Sequence, residues 1–263
     1  MGEQTSGEDV RTEAEELRRM LAHAIDRGIE DAAAHLERRS LREFPEAIRR
    51  SPRPPVPGPF PDDNGMKLLV ESAYLFGVAN ALRLGDHLPY DALGIAVDLF
   101  SRHQRLLSEA ILVLPRPIRT LVGQVKHEVG ASWGRAVNGA AAVSHLAFQA
   151  KEEGLSVRFP TEEEDVRYKI DLLISSATDC TNGCVIQVKA TRKYYVSVFT
   201  PFYDPLGWVE DTFRWIDQYR LITGIQWTPV FASVGLPPLQ VMDLEGSHRV
   251  RRVIQTRLLP LLS

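Results

Sequence analysis

Residues 167–192 read RYKIDLLISSATDCTNGCVIQVKATR. Two short β-rich runs, 170–174 and 185–190, flank a turn-rich segment closed by Asn182 and Gly183, a dipeptide suited to positive backbone dihedrals. The spacing predicts an antiparallel hairpin. Side chains alternate between the two faces of a strand, so Ile170, Leu172 and Ile174 share one face and leave Asp171, Leu173 and Ser175 on the other. On the second run Ile186, Val188 and Ala190 form the apolar set, opposite Gln187 and Lys189. If both apolar sets share a face, a register with residue 171 across from 187 gathers Asp171, Gln187 and Lys189. A carboxylate, a neutral oxygen donor and an ammonium in one place suit a hard divalent cation, with the lysine near a metal-bound water. Phosphodiester hydrolysis needs that combination.

The period of the apolar residues changes on either side of the hairpin. Residues 133–153 are alanine-rich with helical spacing and are closed by Gly154 as a C-cap, after which 155–159 alternates as a strand. Downstream, 194–199 reads as a further strand, 207–223 as a helix, 228–234 as a strand and 248–262 as a closing helix. The stripe Trp208, Phe213, Trp215 and Tyr219 on the first of these helices reads as core. The acidic run 162–165 reads as a solvated loop. Toward the N-terminus, Leu17, Leu21, Ala24, Ile25, Gly28, Ile29, Ala32 and Leu36 mark one amphipathic helix over 11–39. Helical spacing resumes at 66–84, 92–114 and 118–128, while the proline-dense stretch 51–64 reads as an exposed linker, since proline removes backbone donors. The simplest packing is an α/β or α+β core from about residue 130 onward, behind an α-helical N-terminal region. The break at Pro115 and Pro117 divides the chain into 1–115 and 116–263.

The 263 residues allow one elaborated domain or two small ones, and 44% hydrophobic with 25% charged residues is a folded composition, which excludes a disulfide mini-protein or a wholly disordered chain. A formal charge of −3 means that any surface for nucleic acid must be local. No apolar run is long enough to span a membrane, and the acidic, polar start argues against export, so a cytoplasmic location without membrane contact is expected. Cys180 and Cys184 lack the further Cys or His that would complete a zinc site and read as ordinary thiols. His103, His127 and His145 show no metal-ligand spacing, and no nucleophile elbow, phosphate loop or dinucleotide fingerprint is present.

Asp171 followed by Gln187-Val188-Lys189 on the next strand resembles the PD-(D/E)xK nuclease superfamily, whose signature is an Asp on one strand and Glu-x-Lys on the next. Gln187 stands at the position of the glutamate, as in many members, and Ile170 stands where the family has proline. The resemblance covers about residues 133–234, with their helix-strand-strand-strand-helix-strand order. It implies a restriction-endonuclease-like α/β core, a mixed β-sheet flanked by helices. It also implies that Asp171, the Gln187 side chain and the Val188 carbonyl hold Mg²⁺ or Mn²⁺, while Lys189 orients water and stabilises the phosphate. Relatives often add a glutamate from the preceding helix, for which Glu128 is the candidate and Asn138 a lesser one. Arg192, Lys193, Arg251 and Arg252 are candidate phosphate contacts, and Tyr194 and Tyr195 either stack on a base or pack. The implied function is a metal-dependent DNA endonuclease, as a homodimer or with a protein partner on the helical N-terminal region. The alternative is a catalytically inactive nuclease-fold protein serving nucleic-acid binding or assembly.

Overall fold

In a computed structural model, which describes residues 7–38, 41–56, 60–84, 90–178, 181–199, 208–237 and 241–262, helices run up to residue 152 and the first strand begins at Leu155. The helices are α1 (Gly7–Arg38), α2 (Phe44–Arg50), α3 (Asn64–Leu84), α4 (Tyr90–Val113), α5 (Arg116–Val129) and α6 (Ala131–Glu152). The chain forms two compact units, Met1–Val137 and Asn138–Ser263. Their division falls inside α6, whereas the prolines suggested residue 115. Pro117 lies in the first turn of α5, where a missing N–H is tolerated, and α5 packs along α1 within the N-terminal unit.

The proline-rich stretch does not separate α1 from the helices that follow, because α1 packs directly on α3. Its described first half is strapped down. The Arg53 guanidinium donates to the Ile48 and Ser51 carbonyls (3.0 and 2.7 Å) and lies 4.4 Å above the Tyr74 ring. This short α2 and its strap were not legible as such, because proline content alone does not say what the neighbouring side chains hold.

His103, on α4, is fully buried among Phe76, Phe100 and Trp133, with ring centroids 5.0, 5.4 and 5.6 Å away. Its Nδ1 lies 2.8 Å from the Ser72 hydroxyl. Burial pushes the imidazole down to about 3, so it is neutral in the fold. A folded pKa below the unfolded one gives stability that is complete above about pH 6.5 and is lost as the pH falls toward 3. Denaturant titrations of the whole chain between pH 7 and 4 should therefore show a loss of up to about 1.4 kcal/mol per pH unit from this residue. His103→Gln should flatten that slope; an unchanged slope would count against the buried neutral imidazole.

The C-terminal unit is built on a five-stranded sheet in the order β1-β2-β3-β5-β4. The strands are β1 (Leu155–Arg158), β2 (Leu172–Ser176), β3 (Asn182–Ala190), β4 (Val196–Phe199) and β5 (Gln226–Val234). β1, β2 and β3 are antiparallel neighbours, β5 is parallel to β3, and β4 closes the edge antiparallel to β5. Two helices interrupt them: α7 (Glu162–Tyr168) between β1 and β2, and α8 (Trp208–Thr223) between β4 and β5. One sheet face carries Leu173 and Val185 under Tyr168, Ile170, Ile216, Tyr219 and Trp227, with α8 packed on β5. On the other, Leu172, Ile174, Cys184, Ile186 and Val188 are buried. The sheet is thus apolar on both faces, and polar residues on the Asp171 side are confined to one end.

Four local expectations are corrected. Residues 162–165 are not a loop. They start α7, because Thr161 and Glu164 form a capping box and acidic residues suit a helix N-terminus. Ile170 does not share a face with Leu172 and Ile174 but packs with Leu173, since Lys169 caps α7 in the left-handed region (φ 54°) and turns the chain before β2 begins. The closing helix is broken into α9 (His248–Val253), a π turn (Ile254–Leu258) and α10 (Leu259–Leu262), where Pro260 lacks the N–H a continuous helix would use. Lastly, Asn182 and Gly183 are not the hairpin turn but the start of β3, Gly183 pairing with both Ser175 and Trp227.

The reason for a glycine at 183 is space. A Cβ there would stand 2.2 Å from Cζ3 of the Trp227 ring. Gly183→Ala is expected to destabilise the protein by roughly 1–3 kcal/mol through overpacking. The penalty should be smaller in a Trp227→Leu background, which the denaturant midpoints of the four proteins would show.

Candidate functional site

The site residues sit where β2 begins and β3 ends. Helix α7 sets the approach. The Glu164 carboxylate accepts both Arg158 guanidinium nitrogens of β1 (2.7 and 2.8 Å), the Thr161 N–H (2.8 Å) and the Tyr219 hydroxyl of α8. Burial opposes ionisation of Glu164, but those donors outweigh it and bring the carboxyl down to about 2. Burial and the same carboxylate push Tyr219 up to about 12. With α7 so fastened, the turn at Lys169 delivers Asp171 to the head of β2.

Asp171 stands one residue before the β2–β3 ladder, whose first pair is Leu172 with Ile186, so that it falls beside Gln187. Its N–H donates to the Ile186 carbonyl (2.8 Å) and its Oδ2 accepts the Val188 N–H at 2.6 Å. One carboxylate oxygen is therefore spent on the end of the ladder, where the alternation pattern implied a side chain projecting wholly from the sheet. Burial pushes the carboxyl up to about 7. The Val188 N–H opposes this rise, Asp165 adds to it, and Lys189 and Lys169 oppose it. Gln187 is half-buried and Lys189 exposed, while the Val188 side chain is buried on the far face. Asp165 and Lys169 are the charges that the alternation argument missed. Both are within six residues of Asp171, but only the helix between them shows that they share its field.

The remaining sequence candidates lie in different surroundings. Glu128 is exposed on α5 in the N-terminal unit and acts electrostatically on Arg18. Asn138 is half-buried on α6. Arg251 donates from Nε to the Glu153 carboxylate (2.6 Å), to which Gln255 also donates (3.1 Å), so this arginine ties α9 to the end of α6. Arg252 is exposed on α9. Arg192 and Lys193 are exposed in the turn after β3. Cys180 and the side chains of Trp208, Phe213 and Trp215 lie outside the described residues. A polar cleft of about 1130 Å³, lined by Arg27, Asp31, His35, Arg42, Glu46 and Arg50 among others, belongs to the N-terminal unit and not to this site.

For a divalent cation the donors here are the Asp171 carboxylate, the Gln187 amide oxygen and the Val188 carbonyl. Among the described residues no three His, Cys, Asp or Glu side chains gather. Such a set fits Mg²⁺, which keeps several waters and is commonly held by one or two carboxylates with substrate phosphates completing its shell. It does not fit a structural zinc, which takes a closed set of four Cys and His ligands. Among the described residues, no helix is long and apolar enough to cross a membrane. Compared with protein-family models, with curated proteins and with solved structures, the chain gives no significant match.

Proposed function

We propose that the protein is a divalent-metal-dependent nuclease that hydrolyses DNA phosphodiester bonds, with a restriction-endonuclease-like core in its C-terminal unit. The observation that carries the reading is the half-buried Asp171 carboxylate, raised to about 7 by desolvation, bonded to the β3 backbone between Gln187 and Lys189 and within the field of the Lys189 ammonium. A partly buried, perturbed carboxylate beside a lysine is a feature of catalytic sites more than of solvated surfaces. Support for the core comes from the strand arrangement, three antiparallel strands followed through α8 by a strand parallel to the third. Taken without α7, which stands between β1 and β2, and the edge strand β4, which precedes α8, this order resembles the helix-strand-strand-strand-helix-strand order of the nuclease superfamily.

Asp171, Gln187 and the Val188 carbonyl would hold Mg²⁺ or Mn²⁺, which supplies polarisation of the phosphate and a more acidic water when bound. Lys189 would donate hydrogen bonds to a phosphate oxygen and offset the charge that builds there in the transition state. The Val188 N–H, by bonding Oδ2, fixes the carboxylate at the head of β2. Lys169 and Lys189 both favour its ionised form as a substrate approaches. Recognition of DNA or of a protein partner would fall to the N-terminal helical unit.

The single carboxylate favours a second reading, a nuclease-fold protein that binds nucleic acid or scaffolds an assembly without cleaving. Cleavage of a panel of single-stranded, duplex and branched DNA tests the choice. Hydrolysis with Mg²⁺ or Mn²⁺, abolished by EDTA, is expected. A folded protein that binds the panel and cleaves none of it would establish the second reading, and activity surviving exhaustive EDTA would remove the metal.

A further inference from the structure

The turn at residues 191–195 follows Ala190, the last residue of β3, and exposes two aromatic rings, Tyr194 at 55% and Tyr195 at 39%. Exposed tyrosines are common, but the backbone that carries these two is tied down. The Thr191 N–H donates to the Val234 carbonyl (2.9 Å), the Tyr195 N–H to the Lys193 carbonyl (2.9 Å), and the Gly235 N–H to the Tyr195 carbonyl (2.8 Å). Arg249 of α9 donates to the Tyr194 carbonyl at 2.9 Å. The turn lies so close to β5 that a Cβ at Gly235 would fall 1.6 Å from the Lys193 carbonyl oxygen, so any other residue there would displace it.

Position matters as much as rigidity. The Ser233 hydroxyl donates to the Tyr195 hydroxyl (3.4 Å), and Ser233 is the β5 partner of Lys189. Tyr195 therefore stands one strand from the lysine of the candidate site. The same stretch carries Lys189, Arg192 and Lys193, all exposed, and the sequence has no acidic residue between Asp179 and Asp204. Cations flanking two exposed rings on a pinned backbone are what a polyanion with accessible base faces would recognise.

We propose that Tyr194 and Tyr195, with Arg192 and Lys193, form a stacking platform for unpaired bases, so that the site takes single-stranded nucleic acid or a frayed end. This deepens the nuclease reading and rests on it. In a duplex the base faces are already stacked, and the rings have nothing to offer them. An unpaired base gains a partner while Arg192 and Lys193 hold its phosphates. Because the turn is fixed before binding, little order has to be imposed on the protein.

The test is binding of the full-length chain, in EDTA, to a fluorescein-labelled 20-mer oligothymidylate and to a labelled duplex of equal length, read by anisotropy. Tyr194→Ala with Tyr195→Ala should weaken the single-strand complex roughly 10- to 100-fold, the scale of losing one or two stacked bases, and change the duplex complex less than about threefold. Tyr194→Phe with Tyr195→Phe should stay within about threefold of wild type on both. A strand carrying 2-aminopurine should be quenched by the wild-type protein, a readout that needs no alanine variant to fold. Equal losses on strand and duplex, failure of the wild type to bind the strand, absence of quenching, or phenylalanine losing as much as alanine would each overturn the platform. Cleavage is scored separately. Tyrosine-dependent strand binding without hydrolysis in Mg²⁺ or Mn²⁺ keeps the platform and removes the nuclease reading. Hydrolysis with strand binding indifferent to both tyrosines removes the platform alone.

Discussion

Lys189→Met is expected to cut metal-dependent cleavage by about 100-fold or more while the protein melts as wild type does. Methionine keeps the aliphatic stem and removes only the charge. Lys189 is exposed and lies at the penultimate position of β3, so its replacement leaves no cavity. Two effects of the ammonium are separable. It offsets charge on the phosphate, which sets the size of the loss under single-turnover conditions at saturating Mg²⁺. It also lowers the Asp171 pKa, so its removal should carry the acidic limb of the pH–rate profile of any residual activity to higher pH. A surface lysine with no role predicts neither change. Full activity in a folded Lys189→Met protein would remove the central claim, and a loss accompanied by a lower melting temperature would assign the residue to structure instead.

Alternation was enough to place β2 and β3 side by side and antiparallel, because a one-residue slip would take Leu172 and Ile174 off the face they share with Ile186. The helix periods likewise located α1 and α3 to α6 within a few residues, and Gly154, in the left-handed region at φ 76°, closes α6 where a helix stop was expected. What alternation did not carry was anything fixed by side chains distant in sequence. Gly183 reads as a turn residue until the Trp227 ring, 44 positions on, is seen to occupy the space a Cβ would need. Glu162 to Asp165 read as solvated until Arg158 and Tyr219 claim Glu164. Asp171 was legible as a strand-head carboxylate, but not its bond to the Val188 N–H, since only the bend at Lys169 swings it into the ladder. Nor was the partner of Arg251, a candidate phosphate contact, legible. The Glu153 carboxylate it meets is 98 residues away.

Asp171→Asn should abolish cleavage in Mg²⁺ and at the same time make the protein more stable at pH 8. Asparagine retains an oxygen to accept the Val188 N–H, so the end of the ladder survives, while the charge needed for a cation does not. The stability change follows from the sign of the pKa shift. The Asp171 carboxyl, ordinarily at 3.8, is pushed up to about 7 in the fold, so the folded state binds the proton more tightly than the unfolded chain. The wild type's stability from this residue is complete below about pH 4 and is lost as the pH rises to about 7, above which the buried charge is a fixed penalty. Asparagine never bears that charge. The melting temperature of Asp171→Asn in EDTA should exceed wild type by a few degrees at pH 8, with the gap closing toward pH 4. Added Mn²⁺ should then raise the wild type toward or past the variant and leave the variant unmoved, because a cation that binds the folded site stabilises it by mass action. A variant less stable than wild type at pH 8, or a gap that does not change with pH, would show that the carboxylate is held by favourable contacts as a structural cap. A gap that closes with acid but ignores Mn²⁺ would leave a buried acid with no cation to hold, which is the behaviour of the non-catalytic module. Only the full pattern, a destabilising carboxylate relieved by metal and required for cleavage, is what a hydrolytic site built on one acid predicts.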